Sequence, residues 1–133
     1  GPLTAEEYNE MKKHTLIGAQ ILKNLEIYKD EPLVKVAYKI CRWHHERFDG
    51  NGYPDGMEGN MIPIAAQVVS VADAYDALVA SRSYRKGFSH EDAAKLIPSG
   101  FCGVFSPEIM EPFQEYIGNI HQRIYTTEDC HAE

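Results

Sequence analysis

The sequence predicts an all-α fold, a bundle of about five helices in a single domain spanning residues 1–133, and three observations carry that expectation. Apolar residues recur at three- and four-residue steps along most of the chain. Helix start and stop signals bracket those stretches. No segment alternates apolar and polar residues with the period of two that a half-buried strand needs. A chain of 133 residues, 44% of them hydrophobic, suffices for one domain that buries about two-thirds of its unfolded surface.

The elements follow in order. Thr4-Ala5-Glu6-Glu7 is a capping box, in which the threonine hydroxyl and the glutamate carboxylate each take one orphan amide. Met11, His14, Gly18, Ile21 and Leu25 then continue at helical steps, widened by Ile17 and Leu22, and predict an amphipathic helix from about 5 to 26 with His14 on its apolar face. Pro32 suits the first turn of a second helix, about 32 to 46, where Leu33, Ala37, Ile40 and His44 share a face and the end presents His44 and His45. From Ile64 to about Ser81 the chain is apolar nearly all round, which predicts a central buried helix interrupted by Asp73 and Asp76. Ser89 caps a short helix from 90 to 97, stopped by Pro98-Ser99-Gly100. Ser106-Pro107-Glu108 opens the last, with Ile109, Phe113, Tyr116, Ile117, Ile120 and Ile124 along one face.

The formal net charge of −7 argues against nonspecific binding to nucleic acid polymers, which takes a broad basic surface. It leaves room for a small anion held by a local cationic cluster or a metal. No apolar run reaches the roughly 18 residues of a membrane helix and no leader pattern opens the chain, so a soluble cytoplasmic domain is expected. Cys41, Cys102 and Cys130 are an odd set without C-x-x-C spacing and are expected as reduced thiols.

His14, His44 and Asp73 each fall on an apolar helical face, and His45 adjoins one. A carboxylate placed inside needs a partner, because burying it unpaired is very costly. One histidine on such a face is most often a hydrogen-bonded core residue; three histidines and an aspartate directed inward from three helices form an N and O donor set suited to Fe, Mn, Zn or Ni. Neighbouring helical residues point about 100° apart, so His44 and His45 do not easily serve one ion with equal geometry but could serve two adjacent ions.

The segment after His45 holds Gly50, Gly52, Gly56 and Gly59, which allow positive φ or close backbone approach, and Pro54 and Pro63, which fix φ. Such a loop is either a structural connection or a rigid holder of amides and Tyr53 beside a ligand. Arg82, Arg85 and Lys86 form the densest positive cluster in an acidic chain; a guanidinium fork grips phosphate, whereas Lys86 equally suits a solvated helix end.

Taken together, His44-His45-Glu46, Asp49-Gly50, Gly52-Tyr53-Pro54, Gly56, Gly59 and Ile62-Pro63 resemble the signature of HD-GYP domains, a subgroup of the HD phosphohydrolase superfamily. The likeness extends over most of the chain, through Leu3-Thr4, Lys13-His14-Thr15, Ala72-Asp73, Tyr75-Asp76-Ala77-Leu78, Arg82 and Tyr84-Arg85-Lys86. The resemblance implies an HD-domain-like helical fold and hydrolysis of cyclic di-GMP, or a related cyclic dinucleotide, in bacterial signalling alongside regulatory or GGDEF-type domains. It implies a di- or trinuclear transition metal centre, iron first and manganese as the alternative, with His14, His44, His45 and Asp73 as metal ligands. It places Asp76, Arg82 and Lys86 at the substrate phosphates or near the metals, and Gly52, Tyr53, Pro54, Arg82 and Arg85 along the substrate groove. The implied chemistry is metal-assisted phosphodiester hydrolysis, with Arg82 stabilising phosphate charge in the transition state.

Two departures stand beside that match. The family carries its His-Asp pair on a helix before the position of Leu3-Thr4, so this chain is expected to be an N-terminally incomplete domain, impaired or inactive alone, with apolar surface open to homodimerisation. Phe105-Ser106-Pro107 has serine where the family commonly has aspartate; serine still caps a helix. The rival reading is a degenerate HD-GYP module that acts as a cyclic dinucleotide receptor or a protein-interaction domain.

Overall fold

The computed structural model describes residues 3–81 and 86–128, with side chains described as far as 118. Thr4 opens helix α1 (Ala5–Lys12) as expected: its hydroxyl accepts the Glu7 amide at 3.2 Å and its own amide donates to the Glu7 carboxylate at 2.7 Å. The continuous helix expected to 26 is instead two, α1 and α2 (His14–Lys23), joined at Lys13. The side chains after the joint explain the break. His14 Nδ1 donates to the Met11 carbonyl at 2.7 Å and the Thr15 hydroxyl to the Lys12 carbonyl at 2.9 Å, and such backward bonds compete with the helical ladder.

A 3-10 turn (Glu26–Tyr28) leads to α3 (Pro32–Trp43), with Pro32 in the first turn where its missing N–H costs nothing. The helix stops at Trp43, three residues short of the expected end, leaving His44 as its C-cap. After the Gly-rich loop and a second 3-10 turn (Gly59–Met61) come α4 (Ile64–Val79), α5 (His90–Leu96) and α6 (Pro107–Glu128). Ser89 caps α5, accepting the Asp92 amide at 3.1 Å. Among the described residues the only β-pairing is a single bridge between Asp49 and Glu58, and no described helix is long and apolar enough to cross a membrane.

The helices stack in sequence: α2 lies against α3, α3 against α4, and α5 against both α4 and α6. The core is formed by Val71, Ala74 and Leu78 of α4 with Ala93 and Ile97 of the α5 segment and Phe105, flanked by Ile109, Met110 and Phe113 of α6. Helix α4 is therefore central but not buried all round, since Ile64 and Val68 stay exposed, as do Ile17 and Ile21 of α2.

Residues 44–63 form a loop folded back on the end of α3. Gly50, Gly56 and Gly59 have φ of +77°, +67° and +59°, the left-handed region that suits glycine. Gly52 is needed for space: a Cβ there would lie 2.3 Å from the Arg47 amide nitrogen and 2.4 Å from Glu46 Cα, backbone that cannot step aside.

Gly52→Ala is expected to cost at least about 2 kcal/mol in urea unfolding, the range of overpacking against rigid neighbours. Gly118→Ala, on α6 with no atom within 4 Å of the added carbon, is expected to be neutral or stabilising by up to about 1 kcal/mol. Equal stability of the two variants would contradict this packing.

Candidate metal centre

Three histidines from two places in the chain converge. His14 opens α2, and His44 and His45 follow directly on α3. Their candidate ligand atoms all lie within 4.8 Å of one another, and ring centroids stand 5.3 Å (His14–His44), 5.0 Å (His14–His45) and 4.2 Å (His44–His45) apart. His44 and His45 both stand beside His14 at the end of α3.

Hydrogen bonding fixes the tautomers. A carbonyl oxygen only accepts, so His14 Nδ1 carries the proton it gives to Met11, and His44 Nδ1 carries the one it gives to the Ile40 carbonyl at 2.8 Å. In that tautomer each ring presents its Nε2 lone pair, and these two nitrogens face one another at 3.3 Å. Opposed lone pairs repel unless a cation lies between them. Two imidazole nitrogens bound at 2.0–2.1 Å to one tetrahedral ion stand about 3.3 Å apart, so the spacing fits a shared metal. The carbonyls holding the Nδ1 protons are the outer partners that orient metal-binding histidines.

His45 is held neutral by its surroundings. Burial, reinforced by the neighbouring His44 and His14 and by Arg47, lowers its pKa from 6.5 to about 3. Asp73 approaches it at 3.8 Å, His45 Nδ1 to Oδ2, from an exposed position on α4. The inward burial expected of Asp73 and His14 is thus corrected: both are exposed at the rim of the cluster. An apolar surround of small residues such as Ala72 and Ala74 places Asp73 on α4 without fixing which side of the helix is covered.

The loop supplies a wall. Tyr53 stacks on His45 with centroids 4.8 Å apart and planes at 26°, and burial pushes its phenol up to about 12, so it keeps its proton. Gly52 and the cis-linked Pro54 flank it. Two residues that periodicity did not mark hold this wall in place. The Glu46 carboxylate, 2% exposed, accepts the amides of Asp55 at 2.7 Å and Met57 at 3.0 Å. The Arg47 guanidinium donates to the carbonyls of Cys102 (2.9 Å) and Glu46 (3.0 Å) and to the Ser70 hydroxyl (2.7 Å), and lies 5.0 Å over the Phe105 ring. Asp55 closes the other side, taking both arms of the Arg42 fork at 2.8 and 2.9 Å and the Trp43 indole at 2.7 Å. The Arg42 bond holds its carboxyl below the usual range. A charged pair of residues immediately after two histidines was the available signal for Glu46 and Arg47.

Not every expected site residue reaches the cluster. Asp76 lies one turn beyond Asp73 on α4 and is exposed, and Lys86 is exposed as well. Arg82 and Arg85 lie outside the described residues.

Comparison with known proteins gives the family. The family profile described as HD domain matches residues 1–100, and the chain belongs to that family. It is 38% identical over 126 residues, 92% of its length, to a protein of Thermotoga maritima named cyclic di-GMP phosphodiesterase, of which it covers 33%. It is 40% identical over 114 residues, 85% of its length, to a Vibrio cholerae protein of the same name, of which it covers 23%. A third relative, also from Vibrio cholerae and named 3'3'-cGAMP-specific phosphodiesterase 2, is 34% identical over 116 residues, 87% of the chain and 22% of that protein. The chain thus spans between about a fifth and a third of the length of these relatives.

Replacing Glu46 by Gln sets an amide NH2 against one loop N–H. The loss expected is about 1.5–3 kcal/mol of stability, with faster hydrogen exchange at the Asp55 and Met57 amides; unchanged exchange there would show that Glu46 does not anchor the loop. The depressed His45 pKa predicts a pH dependence of the metal-free protein. The unfolded chain protonates His45 below about 6.5 while the folded one resists, so this stability is present above 6.5 and is lost as pH falls toward 3, at up to about 1.4 kcal/mol per pH unit. Urea midpoints between pH 7.5 and 5 should fall less steeply for His45→Asn than for the unsubstituted protein, and identical slopes would refute the assignment.

Proposed function

We propose that this chain is the metal-binding part of a cyclic di-GMP phosphodiesterase acting in the cytoplasm on a second messenger. The observation that carries the reading is the pair of carbonyl-anchored histidines whose Nε2 lone pairs meet at a spacing suited to one ion. Membership of the HD-domain family and the names of the relatives support the substrate class. His14, His44, His45 and Asp73 are the proposed ligands, in a centre of two or three ions with iron favoured and manganese as the alternative. When bound, such ions activate water and take up phosphate charge.

The chain's own residues then have separate tasks. His45, kept neutral by burial, offers a lone pair at neutral pH without first losing a proton. Tyr53, stacked on it and protonated, covers one side of the cluster. Gly52 and Pro54 bring the loop backbone close to the substrate groove. Asp76, Arg82 and Lys86 are assigned to the phosphates, and Arg82 and Arg85 to substrate binding; a guanidinium fork suits that task.

The protein reconstituted with Fe(II) or Mn(II) is expected to hold metal and to convert cyclic di-GMP to a linear product at an impaired rate, and His45→Ala to lose metal and at least about 100-fold of that turnover. Full turnover by metal-free protein, or by His45→Ala, would refute the reading. Stoichiometric cyclic di-GMP binding without turnover in any metal would favour the receptor alternative.

A further inference from the structure

Helix α1 brings two residues to the rim of the histidine cluster that no comparison assigns. Tyr8 and Lys12 are one helical turn apart and share a face. The Lys12 ammonium lies 4.9 Å over the Tyr8 ring and 5.7 Å over the Tyr53 ring, and Tyr8 meets Tyr53 edge to face at 6.5 Å. Tyr53 is the ring stacked on His45, so Lys12, two rings and the cluster form one continuous surface.

The acid at this cluster, Asp73, approaches His45 and forms no ion pair with Lys12. Lys13, its neighbour in sequence, is paired with Glu10, whereas among the described residues no carboxylate forms an ion pair with Lys12. A cation held by aromatic faces in a chain of net charge −7 is a local positive point. Tyr8 remains 45% exposed, leaving ring surface for a flat ligand.

We propose that Tyr8 and Lys12 form a nucleotide subsite flanking the metal centre: Lys12 takes a phosphate oxygen of the cyclic dinucleotide and Tyr8 stacks on one of its purine bases. This rests on the cyclic dinucleotide reading above and adds to it the residues that seat the substrate. The phosphate contact is a charge-assisted hydrogen bond, and base stacking on an exposed tyrosine is tolerant of which purine it meets. Because Lys12 leans on the same ring that covers His45, a bound nucleotide also shields the cluster from solvent.

The test is calorimetric binding of cyclic di-GMP and of ribose 5-phosphate to the metal-loaded protein. Lys12→Met should weaken both ligands by about tenfold, with metal content unchanged, and Lys12→Arg should restore most of the affinity. Tyr8→Ala should weaken cyclic di-GMP by about tenfold and leave ribose 5-phosphate unaffected. Lys13→Met, removing the lysine already paired with Glu10, should change neither. Unaltered cyclic di-GMP affinity in both Lys12→Met and Tyr8→Ala would overturn the subsite while leaving the phosphodiesterase reading intact. No binding of cyclic di-GMP by the unsubstituted protein would overturn both.

Discussion

His14 and His44 each spend the Nδ1 proton on a backbone carbonyl, and what remains is two Nε2 lone pairs set 3.3 Å apart. The rest of the site depends on that opposition. It turns two common residues into oriented donors, and it makes the folded chain favour a cation at a defined point. The anchors are supplied by helix ends: the last turn of α1 exposes the Met11 carbonyl, and the last turn of α3 exposes that of Ile40. The Ile40 carbonyl also accepts the His44 backbone amide at 3.0 Å, so one carbonyl both closes the last turn of α3 and aims the imidazole.

Keeping this arrangement requires the chain to leave α3 abruptly, and Glu46 and Arg47 make it do so. One carboxylate gathers the amides of Asp55 and Met57, while the adjacent guanidinium reaches Ser70 on α4 and the carbonyl of Cys102 before α6. The two side chains work in opposite directions, one drawing the Gly-rich loop inward and the other tying the end of α3 to the core. Between them the loop can only close if the residue facing Arg47 has no side chain, which is Gly52. Tyr53 is thereby delivered to the face of His45, and the burial that results keeps both groups uncharged.

Much of this was legible in the sequence, and the remainder was hidden for identifiable reasons. Caps at Thr4, Pro32 and Ser89 mark three helix starts because they satisfy local orphan amides or need none. The histidines announce themselves by sitting on otherwise apolar faces, and the four loop glycines by their density. The break at Lys13 escapes periodicity because it arises from side chains bonding backward to the backbone. The exposure of Asp73 escapes because α4 is apolar on every side, so helical phase alone does not say which side is covered. Lys12 and Lys13 are indistinguishable as letters; only the packing of α1 against Tyr53 separates the cation on the rings from the one paired with Glu10.

The most direct measurement is long-range 1H–15N NMR of the histidine rings in the metal-free protein at neutral pH, followed by titration with Zn(II) as a diamagnetic probe. The account predicts that His14 and His44 carry their protons on Nδ1, leaving Nε2 unprotonated, and that both Nε2 resonances shift together as one ion binds. Protonated Nε2 on both rings, or Nε2 resonances that stay unmoved when Zn(II) is added, would contradict it.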